Sequence, residues 1–482
     1  MPLDSWREVR RIAIPALFNT LVDPILSLID TLFVGRLGSA YALGATAAAS
    51  EIFTLTFAFS LAIRESASST IARLSASANF AETRVFALKC LGLAVFTGLV
   101  LGLFVGAPVT SVYSVSLMGA GITSPLHNDA LAYARVRAIG LPFSLLGSAM
   151  EGIFRGIGDT KSPLQAALLA ASVNAVLDPI FIFSPLNMGV AGAAAATVVA
   201  QCVASLSLFV VLISRLRDLS NLPPPPASEK SSGDGVISPE NQGKSSLSEN
   251  LLYTSCATLL RSCSILSTWV YITSMLSRKL GATAIAAHGV VLKVWLLFVL
   301  AAESPAIASQ VMCARAIVRG KLIRARALLL RLLTLGTILG VVSMSTLLSL
   351  SPRMADFFIP NSPAISSAAG RLFVFAAASI PLVNPTIVLE STLLGTGRSY
   401  AYLALSTLGN ALIISAISTL VLSAPSAKPE SAWICVFLFF VLRLSTAALR
   451  MFALARGGFG RWGIRRSLMT FFSGRNRRKR RP

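Results

Sequence analysis

Ile12 to Gly38 reads IAIPALFNTLVDPILSLIDTLFVGRLG, a run long enough to cross a bilayer as a helix, for which about 20 mostly apolar residues suffice. It also carries two aspartates, Asp23 and Asp30. An Asp near the centre of a spanning helix costs about 2.5–3.5 kcal/mol on insertion scales, so the pair needs a reason. Their separation is close to two helical turns, and Asn19 lies one turn ahead of Asp23, which puts all three on one face. Such a face either hydrogen-bonds to neighbouring helices, because polar groups in hydrocarbon must find partners, or lines a wet cavity that takes up a proton or cation. Pro15 and Pro24 each remove a backbone hydrogen bond and let the helix bend beside its own carboxylates.

The remainder of the chain has the same character. Of 482 residues, 54% are hydrophobic and only 13% charged, and the mean hydropathy is +0.73, which excludes a soluble protein of this size. The apolar residues form a series of helix-length stretches without strand-like alternation, so the expected fold is an all-α integral membrane protein of twelve transmembrane helices. A net charge of +22 would suit a nucleic-acid binder, but most of the basic residues fall in the N-terminus, the even-numbered loops and the C-terminus. That is the positive-inside pattern. It places both termini on the cytosolic or stromal side and argues for a lipid bilayer as partner and against nucleic acid. The six cysteines lie in or near spans with no CxxC pair and read as small buried hydrophobes. His127, expected in a loop, and His288, expected in a span, form no metal cluster. The first eleven residues show no cleavable signal or transit peptide.

Residues 214–250 hold PPPP at Pro223 to Pro226 and a Ser/Gly/Glu/Lys-rich run, the composition of a solvated, disordered linker. It separates an N-terminal six-helix lobe, residues 1–213, from a C-terminal one, residues 251–455, and a basic tail from residue 456 suits anionic headgroups. The lobes resemble each other. LGSAYALGATAAA from Leu37 is echoed by LGATAIAAHGVV from Leu280, and GLPFSLLGSAMEGIFRGIGDT, ending span four, aligns with SIPLVNPTIVLESTLLGTGRS, ending span ten. The second match pairs Glu151 with Glu390, Gly156 with Gly395 and Gly158 with Gly397. Two halves in parallel order imply pseudo-symmetric lobes related by an axis along the membrane normal, around a central cavity. The G-x-G at Gly156–Gly158 has no strand before it and reads as a turn between spans, not a nucleotide loop.

Span five places Asn174 and Asp178 one turn apart on one face. Asn410 in span eleven takes about the place of Asn174, and Glu390 lies near the end of span ten, while Glu303 is expected to end span eight. Nothing in the second half answers Asp30 or Asp178.

Five motifs are similar to those of the multidrug and toxic compound extrusion (MATE) family of secondary transporters: PxxxxxxxDPxxSLIDTxFVGRLG (Pro15–Gly38), YARVRAIGLP (Tyr133–Pro142), FRGIGDTKSP (Phe154–Pro163), NAVLDPIFIF (Asn174–Phe183) and LGATAIAAH (Leu280–His288). The pairing of DPxxSLIDT with RGxGDTKSP resembles the DinF-like branch and its plant and algal members, some of which belong to plastid membranes. The resemblance implies two six-helix lobes facing a central cavity and export of an organic solute against protons or sodium. By motif position Asp30 matches the family's first-helix aspartate, Asn174 and Asp178 its DinF-like pair on the fifth helix, and Thr197 the residue that completes that cluster. Asp23 is an additional acid of the plant-like pattern. The C-lobe acids of other branches have no clear match, because span seven carries Arg261 and no carboxylate.

The expectation is a monomeric proton-coupled antiporter of a small organic solute, working by alternating access, with sodium as the second coupling ion and no other cofactor. Asp30, Asp178, Asn174 and Asp23 are the coupling residues; Asn19, Thr197, Glu390 and Asn410 are candidates to line the substrate cavity. A lipid flippase or scramblase would need a basic cavity for a lipid phosphate, and the in-span basic residues are few, chiefly Arg261, Lys293 and Arg443. A membrane-embedded acyltransferase would need a His/Asp or His/Glu constellation that His127 and His288 do not offer, so no enzymatic activity is expected. A passive channel suits the repeat less well than gated exchange does. The membrane itself, whether plasma membrane, vacuole or plastid envelope, is open at this point.

Overall fold

The structure is a computed structural model that describes residues 7, 9–22, 40–77, 80–109, 111, 125–183, 186–220, 247–358 and 363–454. Asp23, Asp30, most of the linker and the basic tail lie outside the described residues. Twelve helices run through the described residues: α1 (9–22 in its described part), α2 (Ala40–Ala76), α3 (Phe80–Phe104), α4 (Pro125–Ile157), α5 (Lys161–Ile182), α6 (Val190–Ser220), α7 (Leu247–Val299), α8 (Glu303–Val318), α9 (Leu322–Phe358), α10 (Pro363–Gly395), α11 (Tyr400–Leu422) and α12 (Glu430–Ala453). There are no strands among them.

Among the described residues, eight stretches are long and apolar enough to cross a membrane. Their outward faces are apolar, as with Phe96, Leu99 and Leu103 of α3 or Leu412 and Leu420 of α11, because the surrounding solvent is hydrocarbon. The helices that fall short are informative. Besides α1, described only in part, they are α2, α4 and the first arm of α7, and these carry Arg64 and Glu65, Glu151 and Arg155, and Arg261. Polar side chains in a membrane helix turn to the protein interior, so these helices face other protein.

The structure departs from the sequence-based spans in three places. First, α7 is helical without interruption where a loop is expected near Leu280. Trp269 and Trp295 nonetheless pack against each other with ring centroids 5.1 Å apart, and Thr273 Oγ1 bonds His288 Nε2 at 3.2 Å. In a straight helix the two tryptophans would stand roughly 39 Å apart at 1.5 Å rise per residue. The element therefore doubles back between Thr273 and His288 and supplies two spans. Second, Glu303 does not end the eighth span: a single 3₁₀ turn, Leu300–Ala302, leads into α8. Pro305 explains the turn, since it offers no N–H to the carbonyl one turn back. Third, His127 is not in a loop but in the first turns of α4, 4% exposed.

The pseudo-symmetry expected from the repeat is visible in packing. On α3, a methyl added to Gly98 would stand 2.5 Å from Pro142 Cα of α4; on α9, one at Gly340 would stand 3.0 Å from Pro381 Cα of α10. In each half a glycine lets a neighbouring proline-bent helix approach backbone to backbone. Gly156 of α4 packs on Ile71 of α2, and its repeat mate Gly395 of α10 on Gln310 of α8. Gly158 and Gly397, in the turns that follow, both adopt left-handed φ, +80° and +74°, which glycine reaches without steric cost. Each half has its own apolar core, while the described turns of α1 bury Val9, Ile12, Ala13 and Ala16 against α8 and α9 of the other half.

Candidate functional site

In the N-terminal half, α5 presents Asn174 and Asp178 one turn apart. Asn174 Nδ2 donates to Asp178 Oδ2 at 2.7 Å, and the two residues are 2% and 0% exposed. Pro179 follows directly inside the helix, where its missing N–H frees the carbonyl of Ala175. Thr197 on α6 returns its hydroxyl to Ala193 O at 2.9 Å, a bond within its own helix. The structure thus holds Asn174 and Asp178 together as the spacing requires; Asp23 and Asp30, expected beside them, lie outside the described residues.

Asn19 belongs elsewhere. Its Nδ2 donates to Glu151 Oε1 at 2.5 Å, and Glu151 also binds Arg64 Nη1 at 3.2 Å and Arg155 one turn on along α4. The second half repeats the arrangement. Glu390 of α10 accepts from Arg443 Nη2 at 2.7 Å and Nε at 3.0 Å, and from Arg261 Nη1 at 3.0 Å. Arg261 stands on the seventh span where Asn19 stands on the first, at the same offset that relates Gly98 to Gly340. Its other amino group reaches across to Glu65 of α2, 2.9 Å away. Arg443 lies over the rings of Phe439 and Phe440, 5.4 and 5.0 Å from their centroids. Here the flat guanidinium gains cation–π contact as well as two parallel bonds to the carboxylate.

Sequence reading missed this network as a unit. Glu390 was expected in the substrate cavity; the structure places it 2% exposed between two arginines. A signal was available: the repeat pairs Glu151 with Glu390, and Arg64, Arg155, Arg261 and Arg443 are the cations a buried glutamate in such a place would need. Asn410, the second-half counterpart of Asn174, has no acid beside it among the described residues. It donates to Thr446 Oγ1 of α12 at 3.2 Å, next to Tyr402, whose hydroxyl donates to Thr446 O at 2.9 Å. The second half is instead filled by Trp269, Trp295 and Trp433, whose rings meet at 5.1–6.0 Å, with His288 5.6 Å from Trp433.

The halves meet through polar contacts gathered at one end of the bundle, that of the turns after α4 and α10. Ser66 bonds Ser255 at 3.0 Å, Ser68 donates to Gln310 Oε1 at 3.4 Å, and Ser69 bonds the hydroxyl of Tyr400. Gln310 Nε2 donates to Glu65 O at 3.3 Å, and Ala72, Val311 and Ala314 close a small apolar seam. Thr160, in the turn after α4, donates to Ile12 O at 2.9 Å and so holds α1 at the same end.

Two pseudo-symmetric lobes, a buried Asn/Asp pair on the fifth helix and a polar seam at one end form a pattern that comparison identifies. The profile described as MatE matches residues 15–180 and 259–421, most of both lobes. The chain belongs to the MatE family. The chloroplastic protein DETOXIFICATION 44 of Arabidopsis thaliana is 30% identical over 455 residues, spanning 92% of this chain and 82% of that one. A transporter of the MOP superfamily from Pyrococcus furiosus, whose binding pocket is described as reversed in polarity, superposes with a TM-score of 0.80 at 20% identity over 93% of this chain and 96% of that one. A multidrug-resistance MATE transporter in an outward-facing conformation gives 0.79 at 19% identity, over 93% and 96% of the two chains. This MatE chain is therefore a multi-pass membrane transporter of the plant-like branch, with the twelve-helix MATE fold.

Proposed function

We propose that this transporter exports a small organic solute in exchange for protons, by alternating access of a cavity between the lobes. The observation that carries the reading is a buried carboxylate on a helix that can bend: Asp178, 0% exposed, accepts from Asn174 Nδ2 at 2.7 Å directly before Pro179. Glu151 and Glu390, by comparison, are each held by two arginines and are fixed structural charges. Intramembrane carboxylates mark proton and ion paths, and Asp30 joins Asp178 through the family motif. Protonation from the outer side would release the bound solute and let the lobes close.

The turns after α4 and α10 and both termini face the cytosol or stroma by the distribution of basic residues. The chloroplastic relative supports the plastid envelope as the membrane. The protein works as a monomer with no cofactor beyond its coupling ion. Lipid scrambling is disfavoured because two of the few in-span cations, Arg261 and Arg443, are already engaged by Glu65 and Glu390.

Uptake of a fluorescent cationic dye into proteoliposomes under an imposed proton gradient tests the reading, with sodium absent and then present. Wild type is expected to accumulate dye with the gradient, and Asp30→Asn and Asp178→Asn to lose gradient dependence while eluting as folded monomers. Transport that follows sodium alone would replace the coupling ion. Dye movement insensitive to gradient and to both substitutions would overturn antiport.

A further inference from the structure

At the closed end of the bundle each lobe lays an arginine on the other lobe's glycine turn. Arg315 of α8 crosses to the turn after α4, where its Nη2 donates to Gly156 O at 3.0 Å. Its guanidinium covers Gly158 so closely that a methyl there would stand 2.8 Å from Nη2 and 2.9 Å from Nη1. Arg73 of α2 crosses to the turn after α10. A methyl at Gly397 would stand 2.7 Å from its Cζ, and the guanidinium lies 6.0 Å from the centroid of the Tyr400 ring. The two contacts are repeat mates, since Gly158 and Gly397 are paired by the repeat and Arg73 and Arg315 share the offset of Gly98 and Gly340.

We propose that Arg73 and Arg315 form a reciprocal latch that holds the inner end of the transporter shut and must release both glycine turns before the cavity can open inward. The left-handed glycines are the seats: any side chain at Gly158 or Gly397 would be strained by φ and would also occupy the guanidinium's place. The latch is built to open. Arg73 Nη2 reaches only Thr70 of its own helix, at 3.1 Å, and Nη1 is buried with no hydrogen-bond partner among the described residues. A buried charged donor without an acceptor penalises the closed state, and parting of the lobes returns it to water. Arg315 has its carbonyl acceptor, so the two halves of the latch are unequal, with Arg315 the stronger. Because both arginines bridge lobes, neither contact survives a rocking motion, whereas Glu151 keeps its arginines within its own lobe throughout.

This rests on the alternating-access reading, and the experiment separates the two. Nitroxide labels at Ser77 and Lys321, exposed at the inner ends of α2 and α9 in opposite lobes, report inner opening by pulsed dipolar spectroscopy in nanodiscs, in a background with the native cysteines replaced. Without substrate or gradient, wild type should give mainly the short distance. Arg315→Ala should raise the long-to-short ratio by roughly tenfold, the effect of removing a charged hydrogen bond from one state only. Arg73→Ala removes the packing on Gly397 and Tyr400 together with the unpaired charge, so it should move the ratio far less than Arg315→Ala does. The double variant should stay about as open as Arg315→Ala, while Arg84→Ala on the exposed surface of α3 leaves the ratio unchanged. Gly397→Ala keeps both arginines but fills one seat and should also favour the long distance, which covers the case of an arginine variant that does not fold. An unchanged distribution in the folded double variant, or in Gly397→Ala if the double variant does not fold, overturns the latch. Adding dye and a proton gradient to wild type is the separate arm: lengthening there reports rocking, and its absence counts against alternating access whatever the variants do.

Discussion

At the scale of single residues, charge inside this protein is of two kinds, and mutation should tell them apart. Glu390 compensates Arg261 and Arg443 in a site from which water is excluded. Removing one partner of a buried ion pair leaves the others uncompensated and costs about 3–5 kcal/mol, so Glu390→Ala should lower the thermal unfolding midpoint in detergent markedly. Glu430, 14% exposed, pairs with Arg371 at 2.9 Å, but that arginine is 60% exposed and so stays largely solvated with or without its partner. Exposed pairs are worth about 0–1 kcal/mol, and Glu430→Ala should leave the midpoint almost unmoved. If the two variants melt alike, Glu390 is not the structural charge described above. The sequence marked Glu390 through its repeat mate and offered Arg261 and Arg443 as in-span cations, but it did not pair them, because they stand on α7 and α12, far along the chain.

Helices are brought together here by what they lack. Gly98 allows α3 to touch the backbone of α4 at Pro142, and an added methyl would meet Pro142 Cα at 2.5 Å and Pro142 N at 2.8 Å. Backbone cannot move aside as a side chain can, so Gly98→Ala is expected to destabilise by about 1–3 kcal/mol through overpacking. Gly92, less than two turns earlier on the same helix, has nothing within 4 Å of its added methyl. There alanine should be neutral or slightly stabilising, by up to about 1 kcal/mol, through its better helix propensity. Thermal melts of the two single variants decide the matter, and equal melting would remove the close approach as the reason for Gly98. The reversal expected between two spans near Leu280 is visible in packing, where Trp269 of the first arm of α7 meets Trp295 of the second.

For the whole molecule, the distribution of contacts between lobes is the functional statement. Ala72 is fully buried in the seam with Val311 and Ala314, beside Ser68, Ser69 and Tyr400. A cysteine placed there, in a background with the native cysteines replaced, should resist a membrane-impermeant maleimide applied from the inner face at rest. It should become reactive during turnover with dye and a proton gradient, when the seam opens. Modification at rest as fast as in denaturant would mean that the inner end is not closed.

The sequence by itself determined the membrane class, the twelve-helix division into two similar lobes, the family and the Asn174–Asp178 pair. Each depends on information local to a stretch: apolar length, a helical period, or a motif echoed at a fixed offset. The tertiary structure alone decided which charges neutralise one another, that Glu303 lies within the eighth span, that α1 packs against the opposite lobe, and that Arg73 and Arg315 cross between lobes. Those facts depend on which distant helices become neighbours. In a membrane every helix of sufficient apolarity satisfies its own backbone, so the local sequence leaves the choice of neighbours to close glycine contacts and to the few polar side chains that must find partners.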